Sequence, residues 1–494
     1  MDTHPRPEAE VATWDHTADV VVVGLGCAGA SAAIEARRRG ADVLVVEKTT
    51  AGGGSSAIAG GELYIGGGTP IQKACGFDDN AEEMFKFLME ACGPNADERK
   101  VACYAEGSLD HFDWLVGIGV PFKPSFWSEP CWVPPTDDGL MWLGENSYPF
   151  NEIARPAPRG HRPQTGDFGG WLLMARLGEE LDRLGAARLA DTSADRLVVA
   201  TDGRIVGIVA RRYGQDVTVR ARRAVVLANG GFVYNDDMVR RHAPVLLGHG
   251  KVGTEGDDGR GILMAQSVGA AVKGMDTGQA GIALPPLLLV RSLLVNDRGQ
   301  RFINEDTYPG RVGQYALYHQ RGNVFMVLDE ESFESVPEAD RRGAQPTWVC
   351  ETLDELEQEM GLPSRSLQAT VDVYNHHAAN GTDPMFHKSA RWLKPLRSPF
   401  GAIDMKSPNE VGAGIIEGPR TGFNVFTTGG LHTTIDGHVL GLDGEPIPGL
   451  FAAGRTTSSI HGWGYISGTS LGEGTFFGRR TGTAAAGCGD PAAR

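Results

Sequence analysis

Three glycines, Gly24, Gly26 and Gly29, stand in the spacing G-x-G-x-x-G between the apolar run Val20–Val23 and the alanine-rich stretch Ala30–Arg39. Glu47 follows about 20 residues after the first of them. Each part has a chemical reason. The first glycine permits a tight turn, the second lets backbone approach a pyrophosphate, and the third lets a helix lie close on its strand. The N-terminus of that helix draws phosphates, and a carboxylate at Glu47 accepts the hydroxyls of an adenosine ribose. The pattern predicts one βαβ unit: a buried strand over Asp19–Val23, a helix over Ala30–Arg39 that ends at Gly40, and a second strand over Asp42–Val46.

Flavin and nicotinamide dinucleotides share this fingerprint, and later segments separate them. Gly52-Gly-Gly-Ser-Ser-Ala-Ile-Ala-Gly-Gly61 comes straight after the second strand, where a long dinucleotide would continue. Pro448–Gly454 ends a strand far along the chain, and Gly468-Thr-Ser-Leu-Gly472 opens a helix predicted to reach about Ala486. Such a helix start, set at a flavin's pyrimidine edge, would favour negative charge on the reduced ring.

The rest of the chain must hold these segments together. Its 494 residues contain 68 glycines in short clusters, which suits loops that touch a large ligand. Hydrophobic residues make up 41% and charged residues 22%, an ordinary folded balance. The net charge of −16 and the lack of a basic run argue against nucleic acid and anionic membranes as partners. The longest apolar run, Val20–Ile34, is cut by glycines and too short to span a bilayer. Seven scattered cysteines without a C-x-x-C pair disfavour a disulfide scaffold, a metal site and an iron–sulfur cluster. With no signal-like N-terminus, a cytoplasmic protein is expected.

Ala194–Ala210 reads as a hairpin turned at Thr201-Asp202-Gly203, and Ala224–Ala228 as a strand. From about Thr277 to Ser398 glycine thins out and helical patterns appear over Glu351–Met360 and Leu367–Ala379. The expected fold is α/β: a Rossmann-like dinucleotide domain built from residues 1–276 and 399–494, interrupted by an α+β insert over 277–398.

Further segments are Leu227-Ala-Asn-Gly-Gly231, Gly256-Asp-Asp-Gly259, Gly299-Gln-Arg-Phe-Ile-Asn-Glu305, Thr428-Gly-Gly430 and Gly449-Leu-Phe-Ala-Ala-Gly454. With Ser56-Ala-Ile-Ala-Gly-Gly61 they give a likeness running from Asp19 to about Gly482. The chain resembles the flavoprotein family of succinate dehydrogenase, fumarate reductase and the 3-ketosteroid dehydrogenases. That resemblance implies FAD, with the central insert as a cap. It carries FAD contacts onto Gly24, Gly26, Cys27, Ala28, Gly29, Glu47 and Lys48, and onto Gly54, Ser55, Ser56, Ala59, Gly60 and Gly61. Later in the chain it adds Ala194, Ala228, Asn229, Gly230, Asp258, Gly454, Arg455, Gly468, Thr469, Ser470 and Leu471. Where the family carries its covalent flavin on a histidine, Ser55 and Ser56 stand here, so the FAD is expected to be non-covalent.

Dicarboxylate reductases of the family share H-G-x-x-R-x-G-G-x-x-L, whose arginine clamps a carboxylate. Here the stretch is His461-Gly-Trp-Gly-Tyr-Ile-Ser-Gly-Thr-Ser-Leu471, with Tyr465 in the arginine's place. Val425 and Phe426 stand where those reductases have a histidine. A carboxylate needs a bidentate cation, so an uncharged, apolar substrate is expected. Tyr465, Ile466 and Ser467, with Glu305–Tyr308, Pro70–Phe77 and Ala157–His161, resemble the 3-ketosteroid Δ4-(5α)-dehydrogenases. Departures lie at Trp463, at His432 and in a longer Ser407–Thr421 segment.

Desaturation beside a ketone needs a base for the acidified α-proton and a flavin for the hydride. A tyrosine, with a pKa of about 10, needs a neighbouring hydroxyl to serve as that base. By the resemblance Tyr465 would be the base, Ser467 its relay, and Tyr308 a second phenol from the cap. Ser467, two residues on, would face the same way in extended chain. The alternative reading of Tyr465 and Tyr308 is packing between domains and that of Ser467 a helix cap at Gly468, while Arg311, the one arginine near Tyr308, reads as a surface residue rather than a proton donor. Trp132, among Phe126, Trp127 and Trp142, reads as pocket or as loop packing. The expected reaction is FAD-dependent desaturation of a polycyclic ketone, a 3-oxosteroid, between carbons 4 and 5, with an external electron acceptor. The same residues would serve the reverse enone reduction. An electron-carrying flavoprotein subunit is the alternative of another class, and oligomeric state has no signature.

Overall fold

The computed structural model describes residues 3–406, 416–417 and 422–488. The predicted unit is present as β1 (His16–Val23), α1 (Cys27–Arg38) and β2 (Val43–Val46). Val20–Val23 pair in parallel with Val43–Val46, and the four β1 valines are at most 2% exposed, as an unbroken apolar strand requires. α1 begins three residues before the predicted Ala30, because Gly26 already serves as its N-cap.

The sheet grows outward on both sides of this unit. β3 (Ala187–Leu189) lies parallel to β2. β4 (Thr192–Val199) and β5 (Ile205–Arg212) form the predicted hairpin. β6 (Gln215–Leu227) starts nine residues before the strand read from the sequence and does two jobs. Its first half pairs antiparallel with β5 from Gly207↔Arg220 to Arg212↔Gln215. Its last residues lie between β1 and β7 (Pro446–Ala452), parallel to both. The hydrophilic opening of β6, Gln215-Asp-Val-Thr-Val-Arg, carries no unbroken apolar run, so the strand's full length is set by its hairpin partner.

α2 (Thr469–Gly487) returns the end of the chain onto α1. Gly474, Gly478 and Gly482 recur every four residues and so share one face of α2. A Cβ on Gly478 would lie 2.5 Å from the Ala28 carbonyl oxygen, and one on Gly482 would collide with Ala32. The two helices therefore meet backbone to backbone, and α1 is buried on nearly every side.

A second layer stands over the carboxyl ends of the parallel strands. One four-stranded sheet joins Leu293–Asn296, Val324–Asp329, Phe400–Asp404 and Trp348–Cys350. Helices Leu353–Glu359 and Ser366–Ala378, both foreseen to within two residues, share its apolar cluster of Leu356, Leu367, Val371, Phe325 and Ala402. Phe400–Asp404 pairs on both sides within this sheet, so the layer extends past the expected boundary at 398. Another sheet links Gly278–Ile282 with Phe423–Thr427 and Gly250–Val252, which lie on both sides of the expected insert. Composition could not show either pairing. The segment Ser407–Thr421 lies outside the described residues apart from Ile416–Glu417. Among the described residues no helix is long and apolar enough to cross a membrane, and no cluster of metal-ligating side chains occurs.

Candidate functional site

A cavity of about 800 Å³ opens where α1, the loop after β2, the end of β6 and the start of α2 converge beneath the second layer. At one end Gly24 takes φ +101°, and a Cβ there would lie 2.5 Å from the Ala228 carbonyl oxygen. Gly29 packs onto the Gly24 carbonyl, as its place in the motif predicts. Gly26 borders the cavity instead; a Cβ on it would meet only Ser56 Oγ, at 3.4 Å. The Cys27 amide donates to Ser56 Oγ at 3.1 Å, which ties the first turn of α1 to the second glycine-rich loop.

Glu47 is set in place before any ligand arrives. Its carboxylate accepts from the Leu25 amide at 2.7 Å and from the Thr49 amide and hydroxyl at 2.8 and 2.7 Å. The two Thr49 donors fill Oε1, while Oε2 keeps a lone pair for a ribose hydroxyl in the adjoining cavity. Lys48 leans toward Asp258 at 3.4 Å. Asp257 is the hub that the sequence reading missed. It accepts from Ser55 Oγ at 2.7 Å, from the Gly231 amide at 2.9 Å and from Arg455 at 2.7 Å, binding three distant segments together. The Asp257-Asp258 pair is visible in the sequence, but nothing in spacing distinguishes the inward aspartate from its neighbour.

Most of the predicted contacts line this cavity. Gly24, Gly26, Cys27, Ala28, Glu47, Lys48, Gly54, Ser55, Ser56, Ala59, Gly60, Ala194, Ala228, Asn229, Gly230 and Asp258 do so from the first three quarters of the chain. Gly454, Arg455, Gly468, Ser470 and Leu471 do so from its end. Three predicted positions are displaced from the wall. Gly29 supports the turn. Gly61, at φ +96°, would place a Cβ 2.5 Å from Gly169 Cα, so its role is packing. Thr469 is spent on His461, 2.8 Å from its Nε2.

At the other end the wall is formed by Glu62, Trp132, Val133, Phe168, Gln279, Gly281, Ala283, Asn424, Phe426, Tyr465 and Ser467. Tyr465 packs edge-on against Phe426, with ring centroids 5.0 Å apart. Burial pushes its phenol above the usual range, while hydrogen bonding with the Ser470 hydroxyl and amide and the nearby Arg455 charge pull it down. Ser467 does not pair with Tyr465 as the sequence reading expected. The chain turns at Ser467-Gly468, with Gly468 at φ +83°, so strand-like alternation fails there. Ser467 Oγ is instead 2.7 Å from Tyr308 Oη, which also accepts the Ser467 amide at 2.9 Å. Tyr308 therefore stands behind the wall, and burial raises its phenol strongly.

Other candidates fall away. His461 is buried, held near a pKa of about 3 and therefore neutral. Arg311 lies over the Phe150 and Tyr315 rings and off the cavity wall. Phe126 and Trp142 pack around Phe77, leaving Trp132 as the member of that aromatic group in the wall. Trp463 packs against Tyr315, Tyr318 and His319, outside the cavity, and His432 likewise does not line it.

The residues fit an FAD. Glycines close-packed on Ala228 and Gly24 form a cradle that any side chain would fill. In the cavity wall Asn229 Oδ1 and Arg260 Nε are buried without a hydrogen-bond partner among the described residues. Buried polar atoms of this kind require a polar ligand or water. Among the described residues no histidine lines the cavity, so the flavin has no such anchor there. Acid precipitation of the holoprotein is expected to leave a colourless pellet and all of the FAD in the supernatant; a yellow pellet would contradict this.

The FAD binding domain family matches residues 19–471. The structure superposes on the 3-ketosteroid-Δ4-(5α)-dehydrogenase of Rhodococcus jostii RHA1, solved with 4-androstene-3,17-dione, with a TM-score of 0.92. The two are 52% identical over 98% of this chain and 99% of that one. The 3-oxo-5-alpha-steroid 4-dehydrogenase of Comamonas testosteroni is 27% identical over 90% of this chain and 94% of its own length. A cytochrome-type fumarate reductase of Shewanella frigidimarina is 27% identical over 97% of this chain and 76% of its own. The chain is an FAD-dependent oxidoreductase and belongs to the FAD-binding family that includes the fumarate reductases and the 3-ketosteroid dehydrogenases.

Proposed function

We propose that this enzyme desaturates a 3-oxosteroid between carbons 4 and 5. One observation carries the reading most directly. Tyr465, an uncharged phenol, occupies the cavity wall where a carboxylate-binding reductase needs a cation, and its surroundings include the hydroxyl pair Tyr308–Ser467. The strand Gly278–Ile282 supports a long apolar ligand. Gln279 and Gly281, with Ala283 just beyond, line the cavity at alternate positions and span about 14 Å of extended chain. Gln279 pairs with Phe426, beside Tyr465, so this end receives the reacting ring.

FAD held at the other end supplies the hydride acceptor. Tyr465 takes the proton from carbon 4, acidified by the neighbouring ketone. Its own pKa is raised, so a standing phenolate is not the base. The phenol must pass its proton on as it receives one; the Ser470 hydroxyl interacts with it directly, and the Ser467–Tyr308 hydroxyl pair stands nearby. Trp132, Val133 and Phe168 exclude water from the reacting carbons. We assign residues 277–404, with the strand Phe423–Thr427, to a cap that closes over the substrate, and the remainder to FAD. An acceptor outside this chain removes the electrons.

Anaerobic mixing with saturated 5α-3-ketosteroids is expected to bleach the flavin absorbance of the purified holoenzyme. Bleaching by 5α-3-ketones supports the reading. Reoxidation of reduced enzyme by enones, without bleaching by ketones, would reverse the direction, and no response to either would remove steroids as substrates.

A further inference from the structure

Four cations line the cavity: Lys48, Arg260, Arg342 and Arg455. Three of them are paired with aspartates, Lys48 with Asp258, Arg260 with Asp195 and Arg455 with Asp257. Arg342 has no carboxylate partner and no side-chain hydrogen bond among the described residues. Its neighbour Arg341 shows the contrast, being bound to Glu334 and the Val336 carbonyl and stacked on the Phe333 ring. Arg342 is exposed and yet forms part of the wall, so it stands at the cavity mouth. Its backbone takes φ +49°, and of the seven described non-glycine residues with positive φ it alone lines the cavity. Glycine adopts that conformation at lower cost, and strain held at a cavity points to a use for the side chain.

The strand that supports the substrate fixes which mouth this is. Gln279 lies at the end assigned to the reacting ring, and the wall runs on through Gly281 to Ala283. The Trp132 indole reaches over Gly281 and donates from Nε1 to the Leu284 carbonyl at 3.1 Å. Helix Pro286–Leu289 then packs on helix Glu338–Arg341, which ends directly at Arg342. Arg342 therefore faces the end of the ligand farthest from the ketone.

Resting on the proposed steroid desaturation, we infer that Arg342 selects a 3-oxosteroid whose far end, at carbon 17, carries a carboxylate. A guanidinium presents a planar fork that matches a carboxylate with two parallel hydrogen bonds. The ketone end meets Tyr465 and no unpaired cation, so the substrate is uncharged where it reacts and anionic where it leaves the cavity. At an open mouth the carboxylate keeps part of its hydration, so its capture carries little desolvation cost.

The test compares a 5α-3-ketosteroid bearing a short carboxylic acid side chain at carbon 17 with its methyl ester, on FAD-loaded enzyme. The acid should have a kcat/KM about tenfold above that of the ester, as a charged hydrogen-bonded pair at such a site supplies. The difference should lie in KM, because Arg342 is remote from the carbons that react. Arg342→Gly suits φ +49° and so leaves the fold in place, and it should bring the acid-to-ester ratio close to one. Arg342→Lys should keep part of the preference. Added salt should erode the ratio in the wild type but not in the glycine variant. A wild-type ratio of one or below overturns the inference, as does an unchanged ratio in the glycine variant. An acid that fails to reduce the flavin while neutral 5α-3-ketones succeed also overturns it and leaves the desaturation reading intact. If neither the acid nor neutral ketones reduce the flavin, the reading itself falls and takes this inference with it.

Discussion

Tyr465→Phe is expected to remain yellow and to bind steroid, yet to reduce its flavin about 10²–10⁴ times more slowly, the range that loss of a general base covers. The ring stays against Phe426 and His461, so packing is conserved, and only the hydroxyl is lost. Stopped-flow absorbance at the flavin band measures the rate, and a steroid-induced shift of the same band measures binding. Retained turnover within tenfold would move the base elsewhere. Ser467→Ala should have a smaller effect, because Ser467 is bonded to Tyr308 and not to Tyr465.

The second large effect separates two glycines of one motif. Gly26→Ala should fold normally and lose most of its FAD affinity. Gly26 has φ −83° and ψ −175°, which alanine adopts freely, and its new methyl would meet protein only at Ser56 Oγ, at 3.4 Å. That methyl would occupy the space a pyrophosphate needs. Gly24→Ala should fail earlier. At φ +101°, and with the Ala228 carbonyl 2.5 Å from the added carbon, the strand-to-helix turn itself must move. Strain of that kind costs about 1–3 kcal/mol before any clash is counted. Thermal unfolding of the apoproteins and FAD titration by fluorescence quenching would distinguish the two. Equal loss of stability in both variants would refute the division.

The first βαβ unit, the hairpin, the two helices Leu353–Glu359 and Ser366–Ala378 and the final helix are legible in the sequence, because each shows a local signature: glycine spacing, an apolar run or helical periodicity. Most of the FAD wall comes from the same glycine-rich segments. Non-local pairings are not legible. Nothing in Phe400–Asp404 announces that it completes a sheet begun over 100 residues earlier, and the polar start of β6 hides a strand held by its hairpin partner. Ser467 departs from expectation because the extended geometry assumed for it ends in a turn. Asp257 carries no sequence signal because its importance lies in its surroundings, three distant segments that all donate to one carboxylate.

The glycine face of α2 has a consequence for how the protein is made. α1 leaves the ribosome over 400 residues before α2, so the close backbone contact at Gly478 and Gly482 must wait for α2. The nascent chain must therefore hold its nucleotide half open while the intervening residues emerge. Contacts this distant in sequence form slowly, and domains of a growing chain fold as units. The order of synthesis thus favours the central sheet and its two helices as an early folded body. The FAD cavity, whose wall includes Gly468, Ser470 and Leu471, is complete only once α2 has docked.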